Sequence, residues 1–183
     1  MNVEQNEFEP HEGWNGDPIS FRIREAKLFL SEYRSACENI DGFRAAAMAD
    51  AALLVIASIK ELTCEEGKSA LLLDPAFSLA LCLRNLTAHE DVVPNRTVLA
   101  HIAIQRAEQE SRRLIFILIP SDLDQELSER GGSGRLSRKS SELAREYLKP
   151  YIADGKPLGF GNIIQNAIEC VERIIVKDCP QCS

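Results

Sequence analysis

The chain has 183 residues, of which 45% are hydrophobic and 27% charged, and a formal net charge of −7. That length suits one domain with a substantial core and is too short for two ordinary domains plus a linker, while the apolar content excludes general disorder. The acidic balance makes the average surface repel polyanions, which excludes unspecific coating of RNA or DNA and restricts any nucleic-acid contact to a local basic patch.

Residues 1–17 hold Pro10, Gly13, Gly16 and several acids around Phe8 and Trp14, the composition of a flexible arm that Trp14 could anchor. Its polar, acidic start lacks the cationic flank and apolar stretch of a secretion signal, so a cytoplasmic location is expected. Asp17 and Pro18 suit the cap and first turn of a helix. Phe21, Ile23, Ala26, Leu30 and Tyr33 then recur at near-helical spacing and carry that helix to about Asn39.

Asp41-Gly42 breaks the pattern, and Phe43 to Leu62 follows as a second helix, apolar nearly all round and therefore expected at the centre of the protein. Its apolar run, Ala45 to Ile59, is interrupted by Asp50 and Ser58 and falls short of the roughly 20 residues of a bilayer span, so no membrane helix is expected. Glu65 to Lys68 reads as a turn. A third helix starts near Pro75, runs through Phe77 to Leu86 and ends between Thr87 and Asp91.

Pro94-Asn95 restarts the chain. Val98, Leu99, Ile102 and Ala103, then Leu114, Phe116, Ile117 and Leu118, mark a long fourth helix stopped by Pro120, with Arg106, Glu108, Glu110 and Arg112 on its wet face. Arg130 to Arg135 is a Gly-rich basic loop, after which Ser140 or Ser141 caps a fifth helix that Pro150 should kink or shorten. After the break at Gly155 to Gly161, Ile163, Ile164, Ala167, Ile168, Val171, Ile174 and Ile175 form a helix with one apolar face, suited to the core or to a dimer seam. No repeat and no credible alternating strand pattern emerges, so the expected fold is all-α, an antiparallel bundle of five to six helices over residues 18–178.

Cys37, Cys64, Cys82 and Cys170 fall within apolar helical patterns and read as core thiols. Cys179 and Cys182, in a frayed tail of residues 179–183, have the spacing of half a zinc site or a redox pair, but no second pair and no nearby His completes a tetrahedral site. No Walker loop, dinucleotide turn or metalloprotease helix is present, so neither metal nor cofactor is expected.

The chemistry-bearing element lies at the end of the third helix: Leu83-Arg84-Asn85-Leu86-Thr87-Ala88-His89. Histidine exchanges protons near neutrality, and arginine presents a fixed fork of donors suited to phosphate oxygens. The element resembles the Arg-polar…His motif of the HEPN superfamily, helical bundles in which Arg is followed by a polar residue and, four to six positions on, by His. That resemblance implies metal-independent RNA cleavage in a homodimer, with His89 as acid/base, Arg84 on the phosphate and Asn85 orienting either. It also implies a toxin–antitoxin or phage-defence setting with RNA as substrate and a cognate antitoxin as a further partner.

Positions five apart on a continuous helix differ by about 140°, so Arg84 and His89 are expected to converge where the helix frays. Arg96…His101 repeats the spacing but ranks second, because Thr97 is a poorer match than Asn85 and both residues fall in the early turns of an expected helix. The plainer reading of Arg84 and His89 is a helix C-terminus with both side chains in solvent or on terminal carbonyls. A basic loop containing Arg130, Arg135, Arg138 and Lys139 could grip RNA outside the site or serve as a solvated linker. The rival function is a non-catalytic bundle that binds a protein partner.

Overall fold

Asp17 opens the first helix, α1 (Pro18–Glu38), by accepting hydrogen bonds on its two carboxylate oxygens from the backbone N–H groups of Ile19 and Ser20, at 3.0 and 2.9 Å. The structure, a computed structural model, describes residues 17–89, 98–106, 109–133 and 136–178, and for 88–89, 98–106, 109–115 and 176–178 it describes the backbone alone. The arm upstream of Asp17, Arg96 and the Cys179/Cys182 pair lie outside the described residues.

After α1, the short turn Asn39 to Asp41 leads into α2 (Gly42–Ile59), whose N-cap Asp41 accepts from Arg44 N at 2.9 Å. Ala45, Ala49 and Ala52 are completely buried and present no bulk, which lets α1 and α2 form the most extensive helix–helix contact of the fold. Length and mean hydropathy of 1.6 would let α2 cross a membrane, but half of that window is buried inside the protein, as a core helix requires.

α3 (Glu65–Leu73) occupies the stretch expected as a turn, with Cys64 Sγ accepting from Gly67 N at 3.4 Å as its cap. Only Gly67 and Leu71 of α3 are buried, too sparse a stripe to register as a helix in the sequence. α3 meets α4 (Pro75–His89) at 87°. Asp74 makes that elbow: Oδ1 accepts from Ala76 N and Phe77 N at 2.8 and 3.2 Å, and Oδ2 takes an ion pair from Arg173 at 2.7 Å.

The expected long fourth helix is instead a hairpin of β1 (Val98–Arg106) and β2 (Gln109–Leu118), in register from Val98 opposite Ile117 to Arg106 opposite Gln109. Val98, Ala100, Ile102 and Ile104 satisfy a two-residue period while Val98, Leu99, Ile102 and Ala103 fit a helical one, and the β-branched residues among them favour the strand. Phe116 and Leu118 enter the core, Phe116 with its ring centroid 6.1 Å from that of Tyr33 on α1. The two-residue β3 (Leu158–Gly159) adds to the other side of β2, leaving β1 at the sheet edge.

α5 (Pro120–Arg130), unassigned in the sequence, is a polar helix that buries Pro120, Leu123 and Leu127. α6 (Arg138–Ala153) is capped by Ser137, three or four residues before the expected Ser140 or Ser141, with Ser137 Oγ accepting from Ser140 N at 3.0 Å; it runs past Pro150 to Ala153. α7 (Phe160–Glu172) continues into a π-helical turn, Arg173–Asp178, and its Ile163, Ile164, Ala167, Ile168 and Val171 are buried in the core, leaving no apolar seam on that face. The class is all-α: seven α-helices carry the described fold, one or two more than expected, because α3 and α5 add two helices while the expected fourth helix is the hairpin.

Two helices end in the same motif with different residues at the left-handed position. At the end of α6, Gly155 (φ 62°) bonds to Ile152 O and Lys156 N bonds to Tyr151 O at 3.0 Å; at the end of α1, Ile40 (φ 60°) bonds to Cys37 O and Asp41 N bonds to Ala36 O at 2.9 Å. A β-branched residue there is strained, and Ile40→Asn should raise stability by about 1 kcal/mol in urea unfolding. An unchanged or lower midpoint would show that the Ile40 side chain makes up for the strain.

The buried Cys82 thiol is pushed up to about 12 by burial, with a smaller opposing effect from the Ser141 hydroxyl. The folded protein therefore holds that proton more tightly than the unfolded chain. The stability it lends is whole below the ordinary thiol value of 9.0 and ebbs as pH rises to about 12. Across that window the urea midpoint should fall less steeply for Cys82→Ala than for the parent, and parallel curves would contradict the assignment.

Candidate functional site

α4 is buried on most of its circumference. Phe77, Leu79, Ala80, Cys82, Leu83 and Leu86 are in the core, and the helix packs against α2, α6 and α7. Arg84 and Asn85 are its half-buried polar step.

The Arg84 guanidinium turns toward its neighbour: Nη1 donates to Asn85 Oδ1 at 2.9 Å. Its Nε–H is sealed from solvent and has no acceptor among the described residues. A buried donor in that condition is uncommon, and an incoming anionic oxygen would satisfy it if the side chain shifts. Thr87 Oγ1 donates to the Arg84 carbonyl at 3.1 Å, which belongs to the helix itself.

The helix does not fray between Arg84 and His89, contrary to the expectation from the acidic, Pro-terminated stretch that follows; α4 is continuous to His89. Position 89 is thus about 140° around the axis from position 84, but one turn beyond Asn85 and on its stripe. By bonding to Asn85, the Arg84 guanidinium is drawn toward the stripe that position 89 continues. His101, the second candidate, lies in β1 opposite Leu114 rather than in a helix.

Asn85 also lines a cavity of about 440 Å³ whose walls come from distant parts of the chain. Lys60 enters from the end of α2, Leu72 from α3, Leu81 and Cys82 from α4, and Ser137 and Lys139 from the start of α6. Sequence reading reached Asn85 through the motif and placed Lys139 in a basic loop, but had no signal linking either to Lys60, which is an isolated cation at a helix end. Of that loop, Arg130 pairs with Glu126 at 3.4 Å, and Arg138 and Lys139 belong to α6.

Lys60 Nζ lies 3.3 Å from Glu61, and Glu61 is shared with Lys68 at 3.7 Å. Lys60 and then Lys68 hold the Glu61 carboxyl below the usual carboxylate range. Lys139 makes no ion pair among the described residues. Two lysines, Lys60 with its Glu61 partner and Lys139, thus line the cavity in a chain of net charge −7. Among the described residues no group of three His, Cys, Asp or Glu side chains is arranged to hold a metal ion. Comparison with protein-family models, with curated proteins and with solved structures gives no match to this chain.

Proposed function

We propose that the protein is a metal-independent endoribonuclease of HEPN type, with Arg84 stabilising the phosphate, His89 exchanging the proton and Asn85 orienting Arg84. The observation that carries the reading is the Arg84–Asn85 hydrogen bond at the edge of a cavity lined in part by Lys60 and Lys139. Cleavage by attack of the ribose 2′-hydroxyl needs a cation at the phosphate and a group titrating near neutrality, and no metal. The motif resemblance extends the reading to a cytoplasmic homodimer, to a toxin or phage-defence role, and to a cognate antitoxin as partner.

The test is cleavage of a structured RNA in EDTA by the full chain. His89→Ala should lower the rate by about 10²–10⁴-fold and Arg84→Ala by about 10²–10³-fold, each with little change in thermal midpoint. Wild-type cutting by the His89 variant would remove His89 from the mechanism, and that result with both variants would end the reading.

A second reading, a non-catalytic module that binds a protein partner, is favoured by the turn between α1 and α2. There Ile40, strained and 46% exposed, is followed in the first turn of α2 by Phe43, 88% exposed. Strain and exposed apolar bulk at one spot cost stability, and such outliers cluster where a surface is used. On this reading, affinity capture from native extract yields a stoichiometric protein without RNA, and Phe43→Glu abolishes it. Capture unaffected by that substitution would exclude this turn as the contact.

A further inference from the structure

We infer that residues 1–16 fold back on the first helix and clasp its outer face, with Trp14 against Phe21 and Phe8 against Leu28. Phe21 and Leu28 are the two large apolar side chains that α1 leaves exposed, at 49% and 57%. Seven residues apart, they stand about 10 Å from one another along the axis and within about 20° around it. That stripe lies opposite the buried Ala26 and Leu30, on the side of α1 turned away from the core.

The start of α1 shows what would cover the stripe. With Asp17 as N-cap, Phe21 is the fourth helical residue, the position against which an apolar residue directly before the cap commonly packs. Here that preceding residue is Gly16, which has no side chain to offer. Asn15-Gly16 is instead a turn-forming dipeptide, and just before it stands Trp14, the only tryptophan of the chain. A reversal at 15–16 brings Trp14 over Phe21, because three residues span up to about 10 Å and Phe21 lies only about 6 Å along the helix from Asp17. Phe8, nine residues before Asp17, has a reach of about 30 Å, ample for Leu28 at about 17 Å along the same axis.

Charge favours this occupant over an unrelated apolar partner. Residues 1–16 carry Glu4, Glu7, Glu9 and Glu12 and no Lys or Arg. Between Phe21 and Leu28, α1 carries Arg22, Arg24 and Lys27 against the single acid Glu25. Arg22 pairs with Glu25 and Lys27 with Glu172, each at 2.6 Å, yet the two cations remain 40% and 51% exposed and accessible to a further carboxylate. Attachment at Asp17 also gives the arm an effective concentration that a separate partner lacks. The clasp is independent of the ribonuclease site.

The experiment is acrylamide quenching of tryptophan fluorescence in the full chain, where Trp14 is the sole reporter, with a thermal melt to confirm that each variant is folded. In the parent, Trp14 should be quenched at least about threefold less readily than in the urea-unfolded chain, because a ring packed on apolar neighbours is withdrawn from solvent. Phe21→Ser should abolish that protection, and Leu28→Glu and Phe8→Ser should each reduce it, the last without touching a packed helix. Phe43→Ser, beyond the far end of α1, should leave it intact. A parent tryptophan as open to acrylamide as in urea overturns the proposal. So does full protection in a folded Phe21→Ser/Leu28→Glu double variant, which would seat Trp14 elsewhere. Protection that rises with protein concentration would assign the stripe to a second copy of the chain and likewise reject the clasp.

Discussion

Burial of α4 is the constraint on which the rest of the structure depends. A helix hemmed in by α2, α6 and α7 has little freedom to rotate about its axis without driving Phe77, Leu79 or Leu83 out of the core. Each such displacement would cost on the order of 2–5 kcal/mol. The rotation that satisfies the core thereby also fixes which residues face outward, and it leaves Asn85 on the cavity wall with Arg84 half-buried beside it. The polar step is held in place by apolar neighbours.

The cavity beside that step draws two lysines, Lys60 and Lys139, from an acidic chain. Among the described residues many basic side chains are tied into local ion pairs, such as Arg145 with Asp124 at 2.8 Å, Lys27 with Glu172 at 2.6 Å and Arg173 with Asp74 at 2.7 Å. Exposed pairs of this kind contribute little stability. Their effect is to cancel charge over the surface they cover, and Lys60 is itself neutralised by Glu61, whereas Lys139 makes no such pair among the described residues.

The sequence was legible where a local signal was strong and single. Asp17-Pro18 marked the start of α1, the spacing from Ile163 to Ile175 marked the last helix, and the neighbouring residues of the Arg84–Asn85 pair were visible because they adjoin in the chain. It misled where two periods fitted the same residues: Val98 to Leu118 carries apolar positions that satisfy both a helix and a hairpin, and only the cross-strand pairing distinguishes them. It was silent where burial is thin, as in α5, anchored by Leu123 and Leu127 one turn apart. The cavity was invisible for a different reason, since its walls at residues 60, 72, 85 and 137 are brought together only by tertiary packing.

The elbow at Asp74 has a consequence for the order of assembly. Asp74 is bound to Arg173, 99 positions later in the chain, and the α6 wall of the cavity is likewise supplied from far downstream. During synthesis the early helices can collapse on one another, and Asp74 can cap α4, while these partners are still inside the ribosome, but the Arg173 pair and the α6 wall of the cavity are added only as the downstream chain emerges. Enclosure of the cavity therefore waits on α6, and fragments that stop before it lack that wall.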